Sequence, residues 1–382
     1  MKTQIYLDHH STTPVDERVL AAMLPYFREH FGNPSSQDHA FGWETSDAVK
    51  IARDQVASLI HTSSDEIIFT SGATESNNLA WMGLAKANPT KKHFITCAIE
   101  HSAILETARA MEASGYEVTV LSVDSVGKIS VSDLEKAIRP DTLLVSIQTA
   151  NNEVGTLQAL REIGNLCKNK KVFFHTDAAQ AGAWVPIDVE ADGIDLLSLS
   201  AHKLYGPKGV GILYVRKNNP RVPLQAISFG GDQERGLRPG TLNVPGIVGM
   251  GEACKIARDE MADDAERIQA LVELFWSELQ KIYPKVSRNG DLKNRLPNNL
   301  HVSFPGLEAE SIIQHLRFIA VSTGAACDSH KREASHVLRA MKLSADTIHS
   351  SLRFGLGRNT TREEITATVN RFREVLQKEM EK

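Results

Sequence analysis

Short, wholly apolar runs alternate with longer amphipathic stretches through much of this chain, and no other feature limits its fold as strongly. Ile67 to Thr70 is one such run. It leads into a small-residue turn, Ser71-Gly72-Ala73-Thr74, and then a helical stretch to about Lys86. Further strand candidates are Phe94 to Ala98, Glu117 to Leu121, Leu143 to Gln148, Val172 to His175, Leu196 to Leu199 and Gly211 to Val215. Helix-like stretches at Ala103 to Ser114, Val131 to Ile138 and Leu160 to Lys168 separate several of them. Strands alternating with helices pack into a mostly parallel sheet covered on both faces, so an α/β fold is expected.

Outside this alternation, Thr13-Pro14 followed by Val15 to His30 reads as a capped helix with proline in its first turn. A second helix is expected from about Gly42 to Leu59. A glycine-rich region, Phe229 to Gly251, breaks the pattern, and a long amphipathic helix follows to about Ile282, where Pro284 stops it. The remainder has strands near Leu300 to Phe304 and Leu352 to Phe354 and a final helix from Arg362, which reads as a smaller α+β unit. The expected division is a large domain over 15–257 and a small domain formed by 1–14 with 258–382.

Composition narrows the function classes. With 382 residues, 42% hydrophobic and 24% charged, the chain can bury a large core without crosslinks. Forty-three basic residues against 47 acidic ones leave a net charge of −4, so no broad positive field exists for direct nucleic-acid binding. The first residues lack the apolar stretch of a signal peptide, and no apolar run approaches the ~18 residues of a membrane span, so a cytoplasmic location is expected. Cys97, Cys167, Cys254 and Cys327 are spread widely and form no C-x-x-C pair, which disfavours a structural zinc cluster and a disulfide framework.

Lys203 follows an apolar strand and opens into the punctuated loop Leu204-Tyr205-Gly206-Pro207-Lys208-Gly209. Ligands of open α/β sheets sit at the carboxyl ends of strands, and a partly desolvated lysine there can attack an aldehyde. By itself it could equally be a solvated surface lysine. Asp177 ends another strand, where a buried carboxylate needs a cationic partner such as a protonated pyridine nitrogen, or serves as a helix cap or an ordinary ion pair. Ser71-Gly72-Ala73-Thr74-Glu75 lies at a strand-to-helix turn, whose N–H groups make a phosphate cup or simply a capped helix. Amine, carboxylate and cup together are what pyridoxal phosphate requires. No G-x-G-x-x-G follows the first strand and no P-loop is present. His9-His10 has no ligand partner at helical spacing, so a turn role is expected and no metal site.

The chain resembles the cysteine desulfurases of the class V aminotransferases. The resemblance is carried by Tyr6-Leu7-Asp8, Thr12-Thr13-Pro14, Gly32-Asn33-Pro34-Ser35-Ser36, Thr70 to Asn77, Glu100-His101, Asn151-Asn152-Glu153-Val154-Gly155, His175 to Gln180, Ser200 to Lys203, Arg238-Pro239-Gly240-Thr241 and Ser351-Leu352-Arg353. It implies the fold type I architecture, with a large, mostly parallel seven-stranded sheet domain and a smaller α+β domain, and a homodimer. It also implies roles. Lys203 would form the Schiff base with pyridoxal 5′-phosphate and move the Cα proton. Asp177 would pair with the ring nitrogen, Gln180 with the ring hydroxyl, and His101 would stack on the ring. Ala73, Thr74, Ser200 and His202 would bind the cofactor around its phosphate, with Thr241 supplied by the partner subunit. Arg353 would clamp the substrate carboxylate, assisted by Asn33 and Asn152; a bidentate arginine suits that geometry.

Cys327 lies in a small-residue stretch, Val321-Ser322-Thr323-Gly324-Ala325-Ala326-Cys327, whereas Cys97 falls in a strand and Cys167 and Cys254 in helices. Cys327 is therefore the candidate nucleophile, and the resemblance makes it the persulfide carrier that takes sulfur from L-cysteine and passes it to an acceptor protein. Asp328 beside it should raise the thiol pKa, while His330, Lys331 and Arg332 would lower it; the basic side, or His101, is expected to prevail. The acceptor pathways implied are iron–sulfur assembly, thiolated nucleosides and DNA phosphorothioation. The charged C-terminal helix, without the scaffold-docking tail of some relatives, points away from scaffold loading. The Gly-Ala-Ala-Cys pattern also resembles selenocysteine lyases, and a non-catalytic sulfur carrier of the same fold is the alternative of another class.

Overall fold

The computed structural model describes residues 4–323 and 335–380. It opens with β1 (Ile5–Tyr6), α1 (Glu17–Met23) and α2 (Pro25–Arg28). The single helix expected over 15–30 is thus split, because Pro25 has no N–H to continue the ladder and instead starts α2. Asp16, rather than Thr13, caps α1 by accepting from the Arg18 N–H. Next come α3 (Ala40–Leu59), β2 (Ile67–Thr70) and a helical rod of α4 (Ala73–Asn78), a wider π turn over 79–83 and α5 (Leu84–Ala87). Three strand–helix units follow: β3 (His93–Cys97) with α6 (Ser102–Ala113), β4 (Glu117–Leu121) with α7 (Val131–Ala137), and β5 (Thr142–Ser146) with α8 (Leu160–Lys170). β6 (Phe173–Asp177), β7 (Leu196–Ser200) and β8 (Gly211–Val215) complete the sheet.

The seven strands lie in the order β2-β8-β7-β6-β5-β3-β4. All pairings are parallel except those of β8, which runs antiparallel to both β2 and β7. Every residue of β2, β3, β5, β7 and β8 is buried, which is why these strands read as mostly apolar runs. β4, at the edge, is partly exposed.

The long helix α9 (Val244–Ile282) begins inside the region expected to be irregular to Gly251. Asn243 caps it by accepting from Gly246 N, and Gly246, Gly249 and Gly251 lie within it. Close packing overrides glycine's poor helix propensity there: a Cβ on Gly251 would sit 2.6 Å from the Ala52 Cα of α3, and one on Gly249 would sit 2.5 Å from Met23 Sδ of α1. The helix runs unbroken through residues 257 and 258 and touches α3, α1, β10 and α13.

The remaining elements are β9 (Ser287–Arg288), β10 (Asn299–Ser303), α10 (Ala309–Leu316), β11 (Ile319–Ala320), α11 (His336–Ala340), α12 (Ala345–His349), β12 (Ser351–Gly355) and α13 (Arg362–Met380). β12-β10-β9 form an antiparallel sheet, and β1 pairs in parallel with β11. Phe275, Phe304, Phe354 and Phe372 pack ring to ring between α9, β12 and α13. Among the described residues no helix is long and apolar enough to cross a membrane.

Candidate active site

The turns that follow β2, β3, β5, β6 and β7 open at one end of the sheet onto a cleft of about 490 Å³. Ten predicted site residues line it. Ala73 and Thr74 come from the turn after β2, His101 follows β3, and Asn152 lies beyond β5. Asp177 and Gln180 end β6, Ser200, His202 and Lys203 end β7, and Arg353 enters from β12.

Gly72 makes the first turn possible with φ 152°, a value that side chains disfavour. Ser76 Oγ ties the start of α4 to β8 by donating to the Ile212 carbonyl at 2.9 Å. No side chain caps the N-terminus of α4. Glu75 accepts from Ser71 N at 2.6 Å and pairs with Arg238 Nε at 3.0 Å. Burial pushes its carboxyl up, yet those bonds outweigh burial and hold it below its usual range.

Asp177 is buried between two donors. Asn77 Nδ2 donates to Oδ2 at 2.8 Å and Ala179 N to Oδ1 at 3.0 Å. Behind it, His175 bridges Ser146 and Ser198, and burial lowers its pKa to about 4, so it is neutral. Lys203 Nζ donates to the carbonyls of His10 and of Ser11, the latter at 2.8 Å. His202 contacts Thr12 Oγ1 through Nδ1 at 3.1 Å; burial, then the charges of Lys203 and Lys208, lower it to about 4.

Gln180 is held from two sides: its Nε2 donates to the His10 carbonyl and its Oε1 accepts from His10 Nδ1, both at 3.0 Å. His10 Nε2 accepts from Asn299 Nδ2 at 3.0 Å, which fixes the tautomer. Burial and the Arg353 charge push His10 well down, so it stays neutral. His9-His10 does form a turn, as expected, but sequence reasoning missed the bond to Gln180. Gln148 and Lys208 also line the cleft without having been singled out. Only their position at strand ends could have flagged them.

Arg353 is 2% exposed. Its Nη2 donates to Asp8 Oδ1 at 2.9 Å and Ser11 Oγ at 2.8 Å, and its Nη1 donates to the Asn152 carbonyl at 3.0 Å. Among the described residues, Nε is buried without a partner. His101 is half-buried and caps α6, its Nδ1 accepting from Ala103 N at 3.1 Å.

Two predicted residues stay outside the cleft of their own chain. Asn33 is exposed and its Oδ1 turns back to accept from Ser35 N at 3.0 Å. Thr241 is exposed, just before α9. Cys327 and its charged neighbours Asp328, His330, Lys331 and Arg332 lie outside the described residues. Cys97, Cys167 and Cys254 are buried, and burial raises all three thiols, Cys254 to about 12.

The donor set suits a phosphorylated pyridine aldehyde. A primary amine lies in one cleft with a buried carboxylate, an uncapped helix start, two hydroxyls and a neutral imidazole. Arg353, which lines the same cleft, adds a cationic group for a carboxylate.

Comparisons with known proteins agree. The class-V aminotransferase family model matches residues 5–368. A cysteine desulfurase IscS of Anaeromyxobacter sp. (strain Fw109-5) is 52% identical over 97% of this chain and 91% of its own length. The solved structure of a NifS-like protein superposes with a TM-score of 0.92 at 38% identity, covering 98% of this chain and 100% of that one. A structure described as SspA in complex with cysteine gives a TM-score of 0.83 at 37% identity over 94% of this chain and 100% of the other. With fold, cleft and relatives in accord, the chain belongs to the cysteine desulfurase family of class-V aminotransferases, enzymes that depend on pyridoxal 5′-phosphate.

Proposed function

We propose that this protein removes sulfur from L-cysteine, releasing L-alanine and loading a persulfide on Cys327 for an acceptor protein. The observation that carries this reading is that Lys203, Asp177 and Arg353 share one cleft. Bound there, pyridoxal 5′-phosphate supplies an electron sink that weakens the bonds at the substrate's Cα and Cβ. Lys203 holds the cofactor aldehyde and moves the Cα proton. Asp177, kept in place by Asn77 and Ala179, would pair with the ring nitrogen, and Gln180, fixed by His10, would bond the ring hydroxyl. His101 would stack on the ring. Ala73, Thr74, Ser200 and His202 hold the phosphate.

Arg353 binds the substrate carboxylate, with Asn152 beside it. Asp8 and Ser11 pin one end of the guanidinium, which pre-orients it. The Cys327 thiolate attacks the substrate sulfur: an S–S bond forms, the C–S bond breaks, and its electron pair passes to the Cβ side, which is protonated on the way to alanine. The burial and raised pKa of the other three thiols support Cys327 in this role.

The protein acts as a cytoplasmic homodimer. Thr241 and Asn33 sit outside their own cleft, and an apolar patch is exposed near them: Phe31 is 66% and Phe27 58% exposed on or beside α2, with Trp43 at 56% on α3. A second copy covering this patch would bring Thr241 to the neighbouring phosphate. The large and small domains divide as 15–257 and 1–14 with 258–382.

Incubating the holoenzyme with L-cysteine and mapping the added sulfur by mass spectrometry tests the reading. Cys327→Ser should keep the cofactor's absorbance and form no persulfide, whereas Lys203→Ala should lose the absorbance of the lysine-bound cofactor. Sulfur found on Cys97, Cys167 or Cys254 instead would refute the assignment.

A further inference from the structure

Two consecutive residues at the start of α11 grip the buried segments that carry His101 and Asn152. Ser335 Oγ donates to Glu153 Oε2 at 2.5 Å while accepting from Leu338 N at 3.1 Å. His336 Nε2 donates to the Glu100 carbonyl at 3.0 Å. Each glutamate is the immediate neighbour of a cleft residue: Glu100 precedes His101, and Glu153 follows Asn152.

Both gripped segments are immobilised from behind. Glu100 is fully buried, and its Oε1 accepts from Gln148 N at 2.7 Å and Cys97 Sγ at 3.1 Å. The neighbouring Ile99 carbonyl accepts from Gln148 Nε2 at 2.7 Å and Asn151 Nδ2 at 3.0 Å. The Glu153 N–H donates to Asn151 Oδ1 at 2.9 Å, and its carbonyl accepts from Asn299 Nδ2 at 2.8 Å. Asn151 therefore joins the two segments into one shelf, and α11 is fastened to both halves of it.

The other flank is fastened too. Ser322 pairs with Arg353 through two backbone bonds, Arg353 N to Ser322 O at 2.7 Å and Ser322 N to Arg353 O at 3.3 Å. Residue 327 is five positions beyond Ser322 and eight before Ser335. Even fully extended, those lengths span only about 18 Å and about 28 Å.

We infer that Ser335 and His336 are positioning residues for sulfur abstraction. Neither lines the cleft. They fix the point from which the chain carrying Cys327 departs, relative to His101 and Asn152. This rests on the persulfide chemistry proposed above.

The test uses holoenzyme carrying His336→Ala, His336→Gln or Ser335→Ala, treated with L-cysteine. Three quantities are measured: the cofactor's absorbance change, kcat and KM for alanine release, and the rate of persulfide formation on Cys327. His336→Ala should slow persulfide formation about tenfold, the scale of one lost hydrogen bond, with KM and the absorbance change unaltered. His336→Gln keeps a donor and should recover most of the rate. Ser335→Ala should show the same split, with a lower melting temperature because the α11 cap is lost as well. An unchanged persulfide rate in His336→Ala would overturn the inference, as would a loss that glutamine does not recover or one that follows cofactor content and melting temperature. If the parent enzyme responds to L-cysteine but puts no sulfur on Cys327, the persulfide reading itself has failed, and this inference falls with it.

Discussion

At the scale of single residues, Glu100 has a measurable consequence through its proton. Burial raises its pKa to about 8, so the folded protein binds a proton that the unfolded chain, with an ordinary value of 4.5, has already released. Between those two values the folded state binds more protons, so stability falls as pH rises through the window. Glu100→Gln removes that dependence. Urea melts from pH 5 to pH 8 should show the variant gaining on the parent, by on the order of a few kcal/mol at the alkaline end. A gap that stays constant with pH would contradict this. The residues most legible in the sequence were those whose chemistry and strand-end position coincide, such as Lys203 and Asp177. His10 was not legible as a cleft residue, because its role depends on Asn299, 289 positions away. Nothing in the spacing of two adjacent histidines reports such a partner.

At the scale of elements, most of the seven strands were readable because burial on both faces leaves a mostly apolar run, β4 at the edge being partly exposed. Two helices were misread, one by following the apolar pattern across a proline and one by weighing local propensity without the neighbour. Pro25 divides the first helix although the apolar pattern runs through it. Glycines that look like loop residues instead let α9 approach α3 and α1. Gly251→Leu should therefore destabilise the fold by about 3 kcal/mol, since the Ala52 backbone cannot yield as a flexible side chain would. Denaturant unfolding monitored by circular dichroism would check it, and a neutral effect would show that the two helices can separate freely.

At the scale of the whole molecule, the alternation of strands and helices made a mostly parallel sheet legible, with a cleft at its strand ends, but not the strand order. Under the homodimer proposed above, a second copy completes the site. For the proposed homodimer, Phe27→Glu with Phe31→Glu should yield a monomer in sedimentation and weaken cofactor retention at least tenfold, because Thr241 of a second copy would no longer arrive. A dimer that survives the double substitution would move the interface elsewhere. The pairing of β1 with β11 has a further outcome in folding. Residues 5 and 6 find their strand partner only in residues 319 and 320, far along the chain. Carbonyls of His10 and Ser11, just beyond that strand, receive the Lys203 amine. The acceptors of that amine thus lie beside a pairing of long sequence separation, which costs loop-closure entropy to form.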